Sequence, residues 1–298
     1  MSSYRLTSHA SFSIYGVGLK TALVLEALGK DLQPERVFTY EVSGEHPSTL
    51  ERLRHAAKDR CHVLRRGEIP PIPGTDLTFT IGWQFRLESF DSLVVLHDSL
   101  LPKFRGFAPT VSALIMGDTE LGVTAIRPIS ELDAGPILSQ HSVAIAHPLK
   151  VQQAFQLLAP CYVNCIRESV RKFGHPSFLG VPQQSLGATY SIWRDETDLE
   201  INWYTSAEQI ARFVAAVSYP YSGARTMCDG RRIIVDDVEV LADLPFVNRT
   251  PGKIWQRKSE HQVDVLCGTG MLRITSARNE DGSAFTFQHV RRRLGSRG

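Results

Sequence analysis

Two side chains stand out for what they could do to a proton. The first is His97, which ends the apolar run of "VVLHDSLLPKFRG". That run reads as a buried strand, and an acid, a serine and a proline-turned loop follow it. The second is Asp133 in "GVTAIRPISELDAGPI", in a glycine-bounded loop between two strand-like segments. A lone histidine at a strand end is more often structural than catalytic. Set beside a carboxylate it becomes an acid/base group, because the carboxylate orients the imidazole and stabilises its cation. The pairing requires both loops on one edge of a sheet, which a regular crossover connection would provide. In an extended strand Val95, His97 and Ser99 share a face and Asp98 points the other way. Asp98 is therefore expected to cap the turn, and Ser99 to serve loop hydrogen bonding.

The elements that must hold this pair read as alternating strands and helices. "YRLTSHASFSIYGVGLKTALVLEALGK" carries Gly16 and Gly18 at a strand–loop–helix turn. Such a turn can approach a phosphate, but the third glycine of a dinucleotide fingerprint is missing, so a structural turn is the better reading. "RVFTYEV" reads as a strand, and "PSTLERLRHAAKDR" as a helix with Ser48 at the N-cap and Glu51 at capping-box spacing. "CHVLRR", "LTFTIGW", "SLVVLH", "GVTAIRPI" and "GPILSQHSVAI" read as further strands. "PTVSALIMG" reads as a short helix, and "VQQAFQLLAPCYVNCIRESVRKFG" as a long amphipathic one closed by Gly174. This alternation predicts an α/β, Rossmann-like, mostly parallel sheet with helices on both faces and ligands at the carboxyl ends of its strands. After an extended connector comes a helix, "TSAEQIARFVAAVS", capped by Thr205 or Ser206. Short strands between glycine-bearing turns follow, which suggests a small OB-like β domain. The expected division is a catalytic domain over 1–187, a linker over 188–205 and the OB-like domain over 206–298.

Composition narrows the function. The 298 residues carry a net charge of +2, against a protein built to grip nucleic acid. The five cysteines are scattered without zinc spacing, so buried free thiols and no metal are expected. With neither a signal peptide nor a membrane-length apolar run read, the expectation is a cytoplasmic enzyme without a membrane partner.

The stretch "HDSLLPKFRGFAPTVSALIMGDTELGVTAIRPISELDAGPIL" resembles the formyltransferase superfamily, which includes methionyl-tRNA formyltransferase, glycinamide ribonucleotide formyltransferase and the nucleotide-sugar N-formyltransferases. The family's Asn-x-His…Ser-Leu-Leu-Pro…Arg-Gly motif is matched by His97, by Ser99 through Pro102, and by Arg105-Gly106. Its Gly-Val-Thr…Asp-x-Gly motif is matched by Gly122-Val123-Thr124 and Asp133-Ala134-Gly135. The resemblance is good over 75–145, looser over 190–275 and poor over the first 70 residues. It implies transfer of a formyl group from N10-formyltetrahydrofolate to an amine, with His97 and Asp133 catalytic. The family's asparagine is Val95 here, which cannot donate a hydrogen bond. Losing one oxyanion donor typically costs about 10²–10³ in rate, or roughly 3–4 kcal/mol. Three readings stay open: formyl transfer with another donor group, a different acyl donor such as acyl-CoA, or a non-catalytic binding homologue.

The resemblance also places ligands. It implies a folate pocket built in part by "TIGWQFRLESF", with Trp83 and Arg86 as contacts, and by the loop through Ile129, Leu132 and Gly135, there mainly through backbone groups. The plain alternative is a core Trp83 and a surface Arg86. Ser99, Lys103, Arg105 and His9 are the candidates for contacts to the acceptor, against an ordinary loop histidine for His9. The tRNA-modifying members carry a basic insertion near the first helix. The matching region here, "GKDLQPERVFTYEVSGEHPS", is short and mixed in charge. The expected acceptor is a small-molecule amine, first a nucleotide-linked amino sugar. A homodimer is compatible with either domain.

Overall fold

A computed structural model describes residues 10–65, 68–85, 87 and 92–295. His9 and Arg86, two of the expected ligand contacts, lie outside the described residues. The chain forms two compact units. One runs up to Pro109 and adds Glu120–Ala144 and Gln153–Ile192; the other takes Thr110–Thr119, Ile145–Gln152 and the chain from Trp193.

In chain order the elements are β1 (Phe12–Gly16), α1 (Gly18–Ala27), β2 (Arg36–Thr39), α2 (Ser48–Ala57), β3 (Cys61–Val63), β4 (Leu77–Ile81), β5 (Leu93–His97), β6 (Arg105–Gly106), α3 (Pro109–Met116), β7 (Glu120–Ile126), β8 (Ile137–Ala144), α4 (Val151–Lys172) and β9 (Tyr190–Ser191). They continue with α5 (Ala207–Ala216), β10 (Ala224–Cys228), β11 (Arg231–Leu241), β12 (Ile254–Arg257), β13 (Val263–Leu266) and β14 (Met271–Asn279).

Among the described residues the first unit holds a seven-stranded sheet in the order β3-β2-β1-β4-β5-β7-β8. The first five strands are parallel. β1 and β4 are buried along their whole length, as strands covered on both faces must be. The order reverses between β1 and β4, the kind of point at which open α/β sheets bind ligands. Beyond β5 the direction changes, because β7 pairs antiparallel with β5 and β8 antiparallel with β7. β7 and β8 form a hairpin, since the ten residues between them are too few for a covered parallel crossover. In α4, Ala154, Phe155, Leu158, Tyr162, Cys165 and Ile166 are buried at helical spacing and form its inner face.

One helix start differs from the sequence expectation, and another is closed by a group the sequence did not suggest. α2 begins at Ser48 with Pro47 at the cap, and the Ser48 hydroxyl meets His46 Nδ1 at 2.8 Å, so it does not close the helix. α1 follows Val17, which offers no side-chain acceptor. Its Leu19 N–H donates instead to Glu45 Oε2 at 3.2 Å, a cap supplied from the loop before α2. α5 is closed as expected by Ser206, which forms a reciprocal capping box with Gln209.

The second unit holds, among the described residues, a five-stranded sheet in the order β10-β11-β14-β13-β12, antiparallel throughout. Buried Trp203 donates from Nε1 to Thr226 Oγ1 at 3.0 Å and ties the segment before α5 to β10. The cysteines are free thiols, four of them buried. Burial pushes Cys165 and Cys267 up to about 12, which removes them as nucleophiles at neutral pH. Among the described residues no helix is long and apolar enough to cross a membrane, and no His/Cys/Asp/Glu cluster is placed to hold a metal ion.

Candidate active site

His97 is the last residue of β5 and is 7% exposed, because α/β packing buries the strand up to its end. Asp133 lies in the β7–β8 loop with its side chain 11% exposed. The two meet at 3.5 Å, His97 Nδ1 to Asp133 Oδ2. The same Oδ2 accepts the Gly106 N–H at 2.8 Å. On its other side the ring faces a carbonyl, with Nε2 2.8 Å from Phe104 O. Both ring nitrogens thus face oxygen acceptors. A neutral imidazole has one N–H and satisfies one of them; the cation satisfies both. For the ring to act on a ligand, one of these contacts must be released.

The route by which Asp133 arrives is not the regular crossover expected from sequence. β7 runs against β5, with Thr124 opposite His97 and Ile126 opposite Val95. β7 has therefore already passed His97 and is heading away from the carboxyl edge when the loop leaves it at Ile126, so the loop has to turn back to reach His97. Two backbone features make the turn. Asp133 takes a left-handed conformation, φ +51°, which its short polar side chain tolerates better than most. Gly135 lies so close to the start of the loop that a Cβ would sit 1.7 Å from Arg127 O.

The turn after His97 is locked from β7 and β8. Thr124, fully buried, donates from Oγ1 to Ser99 O at 2.6 Å and accepts the Leu101 N–H at 3.2 Å. Gln140 donates to both Thr124 Oγ1 and Leu101 O. The Ser99 hydroxyl donates to Lys103 O at 2.6 Å. Ser99 is thus a loop-forming residue and not one turned to a ligand. Gly106 has φ +104°, and a Cβ there would lie 2.4 Å from Ser191 O, so β6 and β9 need a glycine at the point that caps Asp133.

The remaining expected residues divide. Val95 is half-buried on β5, two residues before His97. Lys103 is exposed. Arg105 is not open to an acceptor: it is 3% exposed, and its guanidinium is committed to Gln183 and Glu131. Ile129 and Leu132 are 52% and 55% exposed on the loop that carries Asp133. Trp83 sits in an aromatic cluster, edge-on to Tyr15 at 5.1 Å and to Tyr40 at 5.0 Å, and its indole N–H is buried without a partner among the described residues. Trp83 is itself half-buried, and the same cluster includes Phe85, 51% exposed, so it packs at the margin of the core.

Three groups near the site escaped the sequence reading. Lys20 Nζ on α1 lies 2.7 Å from Asp98 Oδ1, so Asp98 is an ion-pair partner and more than a turn cap. Glu45 covers the start of α1, and burial raises its carboxyl above the ordinary range against the pull of the Leu19 N–H and Lys20. Gln183 touches both Arg105 and the Asp133 loop. None has a sequence signal, because each contact joins positions 26 to 78 residues apart with no spacing rule.

The family model described as formyl transferase matches residues 86–159, and that described as formyl transferase, C-terminal domain matches residues 195–293, together more than half of the chain. Among solved structures, HypX from Aquifex aeolicus in complex with tetrahydrofolic acid is similar at a TM-score of 0.63 and 16% identity, over 94% of this chain and 46% of the HypX chain. WlaRD, a sugar 3N-formyl transferase solved with dTDP and 5-N-formyl-THF, is similar at 0.61 and 16% identity, over 95% of this chain and 100% of that one. A methionyl-tRNA formyltransferase from Clostridium thermocellum is similar at 0.55 and 17% identity, over 78% of this chain and 94% of that one. At these identities the likeness to the structures is one of fold.

Proposed function

Since the chain belongs to the formyltransferase superfamily, we propose that it transfers a formyl group from N10-formyltetrahydrofolate to the amine of a small molecule, first a nucleotide-linked amino sugar. The observation that carries this reading is Asp133 Oδ2, held between His97 Nδ1 and the Gly106 N–H at the end of β5. A carboxylate fixed by a backbone donor presents a stable counter-charge to the imidazole and so supports a ring that takes up and gives back a proton.

The residues present fit a folate. The Asp133 loop exposes two apolar side chains, Ile129 and Leu132, beside main-chain donors and acceptors, the mixture a flat heterocycle with amide-like edges requires. When bound, the donor would supply a formyl carbon for an amine to attack: charge builds on the formyl oxygen, the carbon–N10 bond breaks as the new amide forms, and the proton lost by the amine is returned to the departing N10. His97 serves that proton. Asp133 stabilises the imidazolium and fixes the ring's orientation. Nε2, which now faces Phe104 O, becomes an N–H donor once it has taken up that proton and is then the chain's own candidate for the donor that Val95 cannot supply. WlaRD, solved with dTDP and a formyl folate, supports the sugar acceptor as an analogy of fold.

Val95 favours a second reading, acyl transfer on the same fold from another carrier such as acyl-CoA. Calorimetric titration with 5-formyltetrahydrofolate, a stable stand-in for the reactive donor, separates the two without knowledge of the acceptor. Micromolar binding is expected, and a panel of nucleotide-linked amino sugars would follow. No heat of binding would overturn the folate reading and send the search to acyl-CoA, then to a binding protein without turnover.

A further inference from the structure

We propose that Gln183 is a positioning residue that sets the catalytic carboxylate of Asp133. The inference rests on the formyl-transfer reading only for what the carboxylate does, not for how it is held. Gln183 lies beyond α4, where Val181 pairs with Ile137 through two 2.8 Å backbone hydrogen bonds at the start of β8. This brings its side chain against the Asp133 loop. Its Oε1 accepts from Arg105 Nε at 3.2 Å and from Nη2 at 2.9 Å. Its Nε2 donates to Asp133 O and to Gly135 O, both at 2.8 Å. The amide's orientation is forced, because a guanidinium only donates and carbonyls only accept.

One side chain therefore joins the strand that caps Asp133 to the backbone of Asp133 itself. β6 reaches the aspartate twice: directly through the Gly106 N–H to Oδ2, and through Arg105 and Gln183 to the main chain. The second tie spans the residues on either side of Ala134, where the loop holds its left-handed turn. Only a primary amide of this length supplies an acceptor for the guanidinium together with two N–H donors. A glutamate keeps the Arg105 contact and loses both donors; an asparagine is one methylene short.

The test reads the carboxylate through its other partner. In full-length protein labelled with 15N-glycine, the Gly106 amide reports its hydrogen bond to Asp133. Gln183→Ala is expected to move that resonance upfield, in the direction set by Asp133→Asn and by at least half as far. The double variant should move it no further than Asp133→Asn alone. Gln183→Glu, which retains the Arg105 contact, should shift it the same way and carries the test if the alanine variant does not fold. A Gly106 resonance that stays at its wild-type position in both Gln183 variants, while Asp133→Asn moves it, would overturn the proposal, whatever their melting temperatures. The measurement needs neither donor nor acceptor. Failure of formyl transfer thus leaves it standing, and an unmoved resonance with transfer intact sinks the positioning role alone.

Discussion

His97 is a residue with no spare nitrogen: Phe104 O takes one edge of the ring and Asp133 stands at the other. This bears directly on Val95. If Nε2, released from Phe104 O, first takes the amine's proton and then turns the resulting N–H to the developing charge, one group does the work of two. Restoring the second should then show. Val95→Asn is expected to raise the rate of formyl transfer by about 10²–10³, the usual worth of one such donor. His97→Ala should lower transfer by about 10²–10⁴ while leaving folate binding in place. Single-turnover rates on both variants check this. An asparagine variant no faster than wild type would mean that another group already fills the role. The meeting of His97 with Asp133 was legible in the sequence because they stand in ordered motifs, each with its own turn residues. Arg105 stands in the same motif and was expected to contact the acceptor, while in the structure its guanidinium is buried against Gln183 and Glu131. Motif membership says that a residue matters, and only its partners Gln183 and Glu131 say that it supports the loop and does not face the acceptor.

Elements show the same division between local and distant signals. The cap of α5 lies beside its helix and was read as Thr205 or Ser206, whereas the equally local signal at Ser48 did not cap α2; the cap of α1 comes from Glu45, 26 positions from Leu19, and could not be read. The direction of β7 was partly readable. A ten-residue link demands the β7–β8 hairpin, but a buried apolar strand carries no mark of whether it runs with or against β5. The Glu45 cap has a cost that can be measured. Burial is the largest influence on its carboxyl and raises its pKa; the Leu19 N–H and Lys20 only partly oppose this. A carboxyl raised in the folded state prefers its proton there. Its stabilising contribution is complete below the unfolded value, about 4.3, and is lost as pH rises through the folded one. Glu45→Gln keeps an acceptor for Leu19 without the buried charge. The variant is expected to match wild type near pH 4 and to melt at a higher temperature at pH 7. Thermal melts across that range check the sign; a variant less stable at pH 7 would show that the helix start and Lys20 outweigh burial.

At the scale of the whole molecule, the question is what kind of acceptor the chain can hold. The N-terminal family model begins only at residue 86, so the segment before it is where acceptor recognition is least constrained by the family. That segment builds β1 to β4, hence both strands that flank the point where the sheet order reverses. Its architecture was legible from strand and helix periods. Its ligand was not, because the aromatic cluster of Tyr15, Tyr40 and Trp83 assembles from three separate strand ends. Charge is the property that discriminates here. A tRNA acceptor has to be gripped by its phosphates, and a protein making six to ten such contacts loses about 10³–10⁵ in affinity between 50 and 200 mM salt. A net charge of +2 over 298 residues argues against so strong a field. Transfer to a nucleotide-linked amino sugar has at most a diphosphate to neutralise, so its salt dependence should be shallow. We therefore expect kcat/KM for the amino sugar to change less than tenfold over that salt range, and tRNA to show no more than non-specific affinity, roughly 10⁻⁴–10⁻⁶ M at physiological salt. Filter binding and a salt series of initial rates check both. Tight tRNA binding with a steep negative slope against salt would move the acceptor from a sugar to a charged RNA.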